Sequence, residues 1–196
     1  MPDRRRAIVD RGLAAAAETH LALRAAGAAA VAEAAGAVVG ALREGHAVLV
    51  FGNGGSAADA QHFAAELVGR FVTERRALPA VALTTDTSAL TALANDYGYD
   101  RVFARQVEAL GREGDVAIGI TTSGASANVL AAFEAARARG LVTIALTGRD
   151  GGAAGRAAAI HVNVASDVTA RIQEAHMTAL HLICEIVDEE LGGDGY

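Results

Sequence analysis

The chain contains no lysine: all 17 of its basic residues are arginine. That absence excludes several chemistries at once. A Schiff-base aldolase, a pyridoxal-phosphate enzyme and a Walker-type phosphate loop each depend on a lysine amine. Any phosphate bound here must be held by arginine, hydroxyls or backbone N–H groups. Cysteine is almost as scarce. Cys184 stands alone, so neither an internal disulfide nor a multi-thiolate metal site can form. It lies in an apolar helical pattern and reads as a small buried residue. Aromatic residues make up only 4% against 52% hydrophobic residues, much of it alanine. Close helix packing is expected in place of a large aromatic core. Excess positive charge is also lacking. A formal net charge of −6 argues against a nucleic-acid partner held by its phosphates. The start of the chain is basic (Arg4, Arg5, Arg6), but Asp10, Arg11 and Glu18 interrupt any apolar run behind it, so no signal peptide is read there. Residues 25–42 are small and apolar, yet Glu33 splits them, and no membrane span is expected. The expected compartment is the cytoplasm.

What is present is a regular alternation. Residues 4–44 read as helix, with a break plausible near Gly27. Short apolar runs at 47–51, 80–83, 115–120, 141–146 and 159–164 read as strands. Helical patterns separate them, from 56 to about 70, at 86–95 and 101–110, from the 121–126 loop to about 139, and at 168–191. The Gly-rich stretch 148–155 reads as loop or a poor helix. Continuously apolar strands alternating with helices indicate an α/β fold, a parallel sheet of about five strands covered on both faces. The expected division is an N-terminal helical arm over 1–44 and an α/β domain over 45–196.

In such a sheet, ligands bind beyond the carboxyl ends of the strands. Two loops lie there, Gly-Asn-Gly-Gly-Ser at 52–56 and Thr-Thr-Ser-Gly-Ala-Ser at 121–126. Each precedes a helix, whose first N–H groups attract anions. One such loop would pass as an ordinary Ser/Thr cap. Two at equivalent places point to a polyhydroxylated phosphate ester. The third glycine of a dinucleotide fingerprint is missing, because Ala57 stands in its place.

Two helices carry candidate metal ligands. His62 and Glu66 are four apart, about 40° around one face. Gln173 and His181 on the final helix fall within about 80° of each other. His176 lies on the far side of Gln173 and is the poorer candidate. Two imidazoles, a carboxylate and an amide oxygen form an N/O set that zinc commonly occupies. The plainer alternatives are a solvated His62–Glu66 contact and a core histidine at 181.

Together these segments resemble the phosphoheptose isomerases. The resemblance is carried by 52–56, Asp59-Ala60-Gln61-His62-Phe63, Glu66-Leu67-Val68-Gly69-Arg70, Ala94-Asn95-Asp96-Tyr97-Gly98, Gly111-Arg112-Glu113-Gly114-Asp115, Thr122-Ser123-Gly124, Ser126-Ala127-Asn128-Val129, the 146–152 segment and Arg171-Ile172-Gln173-Glu174. It implies the sugar-isomerase (SIS) fold and an aldose–ketose isomerase acting on sedoheptulose 7-phosphate. It implies one zinc ion per subunit, held by His62, Glu66, Gln173 and His181, with Glu66 and His181 as the acid–base pair. Asn53, Gly54, Gly55 and Ser56 match its substrate loop, Asn95 and Asp96 a second contact, and Thr121, Thr122, Ser123 and Ser126 its phosphate loop. Gln173 also touches substrate in that family. Thr121 stands where serine is commoner, with the hydroxyl retained. Ala125 replaces a commonly polar residue. A homotetramer with active sites at subunit interfaces is implied as well, the alanine stripes of the arm packing on another subunit. The alternative is that they pack on the chain's own sheet. A second SIS-fold group, proteins that associate with the replication initiator DnaA, is similar in several of the same segments. Glu66 and His181 separate the two readings, since a scaffold needs neither. An isomerase for another ketose phosphate is the remaining alternative.

Overall fold

The structure is a computed structural model that describes residues 2–192. Met1 and residues 193–196, at the outer ends of the two expected domains, lie outside the described residues. The elements run α1 (Pro2–Arg43), β1 (Val48–Gly52), α2 (Gly55–Val68), β2 (Ala80–Ala82) and α3 (Thr87–Tyr97). A single 3-10 turn (Tyr99–Arg101) leads into α4 (Val102–Leu110). Then follow β3 (Val116–Thr121), α5 (Ala127–Ala138), β4 (Val142–Gly148), α6 (Gly152–Ala157), β5 (Ile160–Val164) and α7 (Thr169–Leu191).

All five strands pair in parallel, in the order β2-β1-β3-β4-β5. The burial pattern follows from the two-residue period of a strand. Val48 and Val50 of β1 point to one face, where α1, α2 and α7 cover them. Leu49 and Phe51 point to the other, where they meet Phe103 of α4 and Phe133 of α5. β1 and β3 run out in register, Gly52 opposite Ile120. The chain moves from β1 outward to β2 and then returns past β1 to β3. The crevice beyond β1 and β3 is therefore the switch point at which doubly wound sheets bind ligands.

The N-terminal helix corrects two expectations. It is unbroken through Gly27, because Leu23 fills the space a side chain there would take and the next turns are anchored in the core. From Leu23 onward its apolar face is also not free for another subunit. Leu23, Val31, Ala34, Ala35, Val38, Val39 and Leu42 are buried inside this chain, against β5 and α7. By length and composition α1 is apolar enough to cross a membrane, with a mean hydropathy of 1.6 over its most apolar window. That composition is accounted for by the core helix it forms. The part before Leu23 is mostly exposed, with Ile8, Val9, Leu13 and Leu21 in solvent, although the Gly12 carbonyl accepts from Arg171 and His20 Nε2 lies 2.8 Å from Thr178 Oγ1. The 148–155 stretch, read as loop or poor helix, holds the six-residue α6.

Candidate active site

Both loops at the switch point present helix N-termini with no side-chain cap. Gly54 precedes α2 and has none to offer, and Ser126 precedes α5 without capping it. Instead the Ser126 hydroxyl lies 2.8 Å from Thr121 Oγ1, which also lies 3.3 Å from Ser123 Oγ. Ser123 Oγ accepts from the Ala125 N–H. The hydroxyls are thus tied to one another, and the first amides of α5 remain for a ligand. By contrast α3 is capped by Asp86, which accepts from the Ala89 N–H at 2.9 Å. Gly124 sits at φ +65°, and a Cβ there would come within 2.3 Å of the Gly151 carbonyl. The phosphate-loop candidate is therefore pressed backbone to backbone against the loop before α6, and Thr122 is half-buried beside it.

The candidate metal ligands converge from two helices. His62 Nε2 lies 3.0 Å from His181 Nε2, with the rings edge to face at 5.2 Å between centroids. His62 Nε2 also lies 3.3 Å from Glu66 Oε1, one turn further along α2. Phe71 leans on the His181 ring at 5.3 Å. Gln173 approaches the start of α2 so closely that a Cβ on Gly55 would sit 2.3 Å from its Nε2. One helix pair thus brings His181 and Glu66 each against His62 and places an amide at the mouth of the substrate loop. The donor set suits zinc, and both separations approach the roughly 3.3–3.4 Å edge of a tetrahedron with 2.0–2.1 Å bonds. The contacts all run through His62. Among the described residues no group of three His, Cys, Asp or Glu side chains is arranged to hold a metal ion.

His176 is not part of this cluster. It is buried on the opposite side of α7 and bonded to the Thr147 carbonyl at 2.9 Å. Burial pushes it down to about 4, against the opposing pull of that hydrogen bond. Asn95 and Asp96 are also held apart from the histidines. They lie exposed at the end of α3, bonded to each other at 2.8 Å. The turn that follows does reach the site, since the Tyr99 hydroxyl donates to Asn53 Oδ1 at 3.3 Å.

Two further residues belong to this neighbourhood. Asn128 is buried and forms a reciprocal amide pair with Asn53, at 2.9 and 2.8 Å, which bridges the two ligand loops. Its place two residues after Ser126, in the first turn of α5, was the available signal. Asp59 lies one turn before His62. Burial pushes its carboxyl up, the charge of His62 opposes that, and its Oδ2 is buried without a hydrogen-bond partner. Ser56 is buried behind the loop, whereas Gly54 and Gly55 are exposed in it.

Comparison with known proteins identifies the family and the fold. The family model described as "SIS domain" matches residues 13–148. The phosphoheptose isomerase of Aliarcobacter butzleri is 62% identical over 150 residues, covering 76% of this chain and 79% of that protein. That of Geobacter metallireducens is 59% identical over 157 residues, 80% and 83% of the two chains. The solved structure of phosphoheptose isomerase GmhA from Neisseria gonorrhoeae superposes with a TM-score of 0.89 at 46% identity, over 94% of this chain and 98% of that one. With a five-stranded parallel sheet of SIS type and this degree of identity, the chain belongs to the phosphoheptose isomerase family of sugar-phosphate isomerases.

Proposed function

We propose that the chain interconverts sedoheptulose 7-phosphate and D-glycero-D-manno-heptose 7-phosphate through an enediol. One observation carries the reading: His62 meets both Glu66 and His181 on the α2–α7 seam, and α2 itself starts at the sheet's switch point, where the N-termini of α2 and α5 carry no side-chain cap. The chemistry requires one proton to move between C1 and C2 and another between O1 and O2. Glu66 and His181 divide these roles, the pair being close to each other through His62. The phosphate is gripped by Thr121, Thr122, Ser123, Ser126 and the first amides of α5. Binding at that distance is converted into orientation of the reacting carbons. Asn53, Gly54, Gly55, Ser56, Asn95, Asp96 and Gln173 contact the sugar hydroxyls, with Asn128 holding Asn53 in place.

His62, Glu66, Gln173 and His181 would hold one zinc ion per subunit. When bound, zinc supplies Lewis-acid polarisation of the sugar oxygens. The assembly is a homotetramer with sites at subunit interfaces. Supporting this, α1 projects Ile8, Val9, Leu13 and Leu21 into solvent, and an apolar groove between α1 and α7 is lined by Ala28, Ala32, Leu182 and Ile186. Light scattering tests that state. The enzyme works in the cytoplasm, since its charged phosphate ester does not cross a bilayer.

The deciding experiment incubates the protein with sedoheptulose 7-phosphate in deuterated water, with and without chelator. Aldoheptose phosphate should form with solvent deuterium at the carbon beside the carbonyl. The chelator should slow the reaction. Product without any solvent exchange would mean hydride transfer and would remove the enediol scheme. No product from this substrate, with turnover of another ketose phosphate, would reassign the specificity.

A further inference from the structure

The helices that carry the site, α2 and α7, meet a second time at a place with no reactive group exposed. Arg75, in the segment after α2, has a side chain that is 0% exposed, and Asp188 of α7 is 5% exposed. Arg75 Nε donates to Asp188 Oδ1 at 2.8 Å. Other guanidinium hydrogens go to carbonyls at the end of α2 and in the segment after it. Nη1 donates to the Leu67 and Arg76 carbonyls at 3.0 and 3.1 Å, and Nη2 donates to the carbonyl of Glu66 at 2.8 Å. The Glu66 and Leu67 carbonyls lie in the last turn of α2, which lacks intrahelical partners and favours a cation, and the Leu67 carbonyl also accepts from the Leu78 N–H. The other carboxylate oxygen, Asp188 Oδ2, accepts from the N–H groups of Val72 and Thr73, both at 2.8 Å.

The placement relative to the site follows from helix geometry. Asp188 is seven residues beyond His181, so the two lie within about 20° on one stripe of α7 and about 10 Å apart along it. Glu66 is held at both ends of the residue. Its carboxylate faces His62, and its carbonyl is bonded to Arg75. Any rotation or slide of α7 against α2 would have to break bonds that are buried and satisfied. A displacement of about 1 Å at reacting groups can cost on the order of a hundredfold in rate.

We propose that Arg75 and Asp188 are positioning residues of this site. They fix the rotation and axial register of α7 against α2, and so the approach of His181 to His62 and Glu66. The inference rests on the isomerase reading of the site, and its test separates the two. Arg75→Lys keeps a cation for Asp188 but loses the fork that reaches Glu66. The double variant Arg75→Met with Asp188→Leu replaces the pair by apolar side chains of similar size, a change that buried pairs commonly tolerate in stability. For each, four quantities are measured: the thermal midpoint, kcat with sedoheptulose 7-phosphate, affinity for inorganic phosphate, and zinc affinity by competition with a chromogenic chelator. Both variants should fold. Each should lose tenfold or more in kcat and about tenfold in zinc affinity, with phosphate affinity within twofold of the unmodified chain. A folded variant that keeps kcat and zinc affinity would overturn the proposal. So would phosphate affinity falling in step with kcat, or failure of both variants to fold, because each makes the pair a general stabiliser. An unmodified protein that binds zinc and phosphate but turns over no heptose phosphate sinks the isomerase reading alone. The zinc comparison then still decides the clamp.

Discussion

At one end of the seam between α2 and α7, the His62 side chain is 47% exposed and Glu66 22%. At the other, Arg75 is 0% exposed and Asp188 5%. The first end is wet, and its partners can be exchanged: an imidazole facing another imidazole can yield that contact to a ligand at little cost. The second is dry, and both oxygens of Asp188 and three nitrogens of Arg75 are in use. Reactive groups need access and replaceable partners, while a device that holds them needs neither. The same two helices provide both by changing only which residues meet and how deeply.

The largest expected effect lies at the wet end. Glu66→Gln keeps the shape and loses the charge and the basic oxygen. Turnover should fall by about 10²–10⁴, the range typical of a lost acid–base group. Because Glu66 is partly solvated and its side chain contacts His62, the thermal midpoint should shift by only about 2 °C or less. Activity within a few-fold of the unmodified enzyme would remove Glu66 from the chemistry. A collapse in stability would make the wet end as structural as the dry one.

The dry end should fail in acid. Burial raises the Asp188 carboxyl, but the hydrogen bonds from Thr73, Val72 and Arg75 outweigh it and hold the carboxyl below its ordinary range. Its contribution is therefore present above the unfolded value near 3.9 and is lost as pH falls through the lower folded value. His176, on the buried side of α7, acts at a higher pH. Its folded value of about 4 lies below the unfolded 6.5. Between those values the unfolded chain takes a proton that the native chain refuses, so stability declines as pH falls from 6.5 towards 4, by roughly 3 kcal/mol in total. Urea midpoints measured across that window should show the slope. His176→Gln, which can still donate to the Thr147 carbonyl, should flatten it and leave the Asp188 loss below pH 4.

Much of this was legible in the chain and some was not. The central strands β1, β3 and β4 were readable because parallel strands buried on both faces are continuously apolar, whereas the edge strand β5 alternates, with His161 and Asn163 half-buried. The two ligand loops stood out because glycine and hydroxyls cluster where strands end. Spacing placed His62 with Glu66, but only tertiary packing brings His181 of α7 to them. α1 was readable as a helix and not as a core element, since an alanine stripe looks the same whether it meets its own sheet or another subunit. Arg75 was invisible: in Thr73-Glu74-Arg75-Arg76 it looks like one more solvated charge. Which of two adjacent arginines turns inward depends on the carbonyls at the end of α2 and on Asp188, more than a hundred residues away.

Asn128 sharpens the comparison at smaller amplitude. It links the 52–56 and 121–126 loops through its pair with Asn53, inside the wall of an otherwise solvated site. Asn128→Ala leaves the Asn53 amide without that partner, at a cost of about 1–3 kcal/mol. With Asn53 free to turn, KM for the sugar phosphate should rise about tenfold. Affinity for inorganic phosphate, which engages only the second loop, should change less than twofold. Equal losses for both ligands would mean that the amide pair shapes the phosphate loop and not the sugar contact.

The smallest effect is expected midway between the two ends, at Cys184. The thiol is 1% exposed. Burial pushes it up to about 12, the carboxylates of Glu66, Asp188 and Glu185 add to that, and Arg75 opposes it. It thus feels a charge from each end of the seam and touches neither task. At pH 8 its thiolate fraction is on the order of 10⁻⁴, so a thiol reagent should label the native chain only through opening of the seam. Cys184→Ala removes one sulfur from the packing and should cost about 1 kcal/mol, with kcat unchanged. Rapid labelling of the folded protein would mean that α2 and α7 part often on their own. In that case the dry end would hold them less firmly than its hydrogen bonds imply, and the contrast between the two ends would be one of composition and not of rigidity.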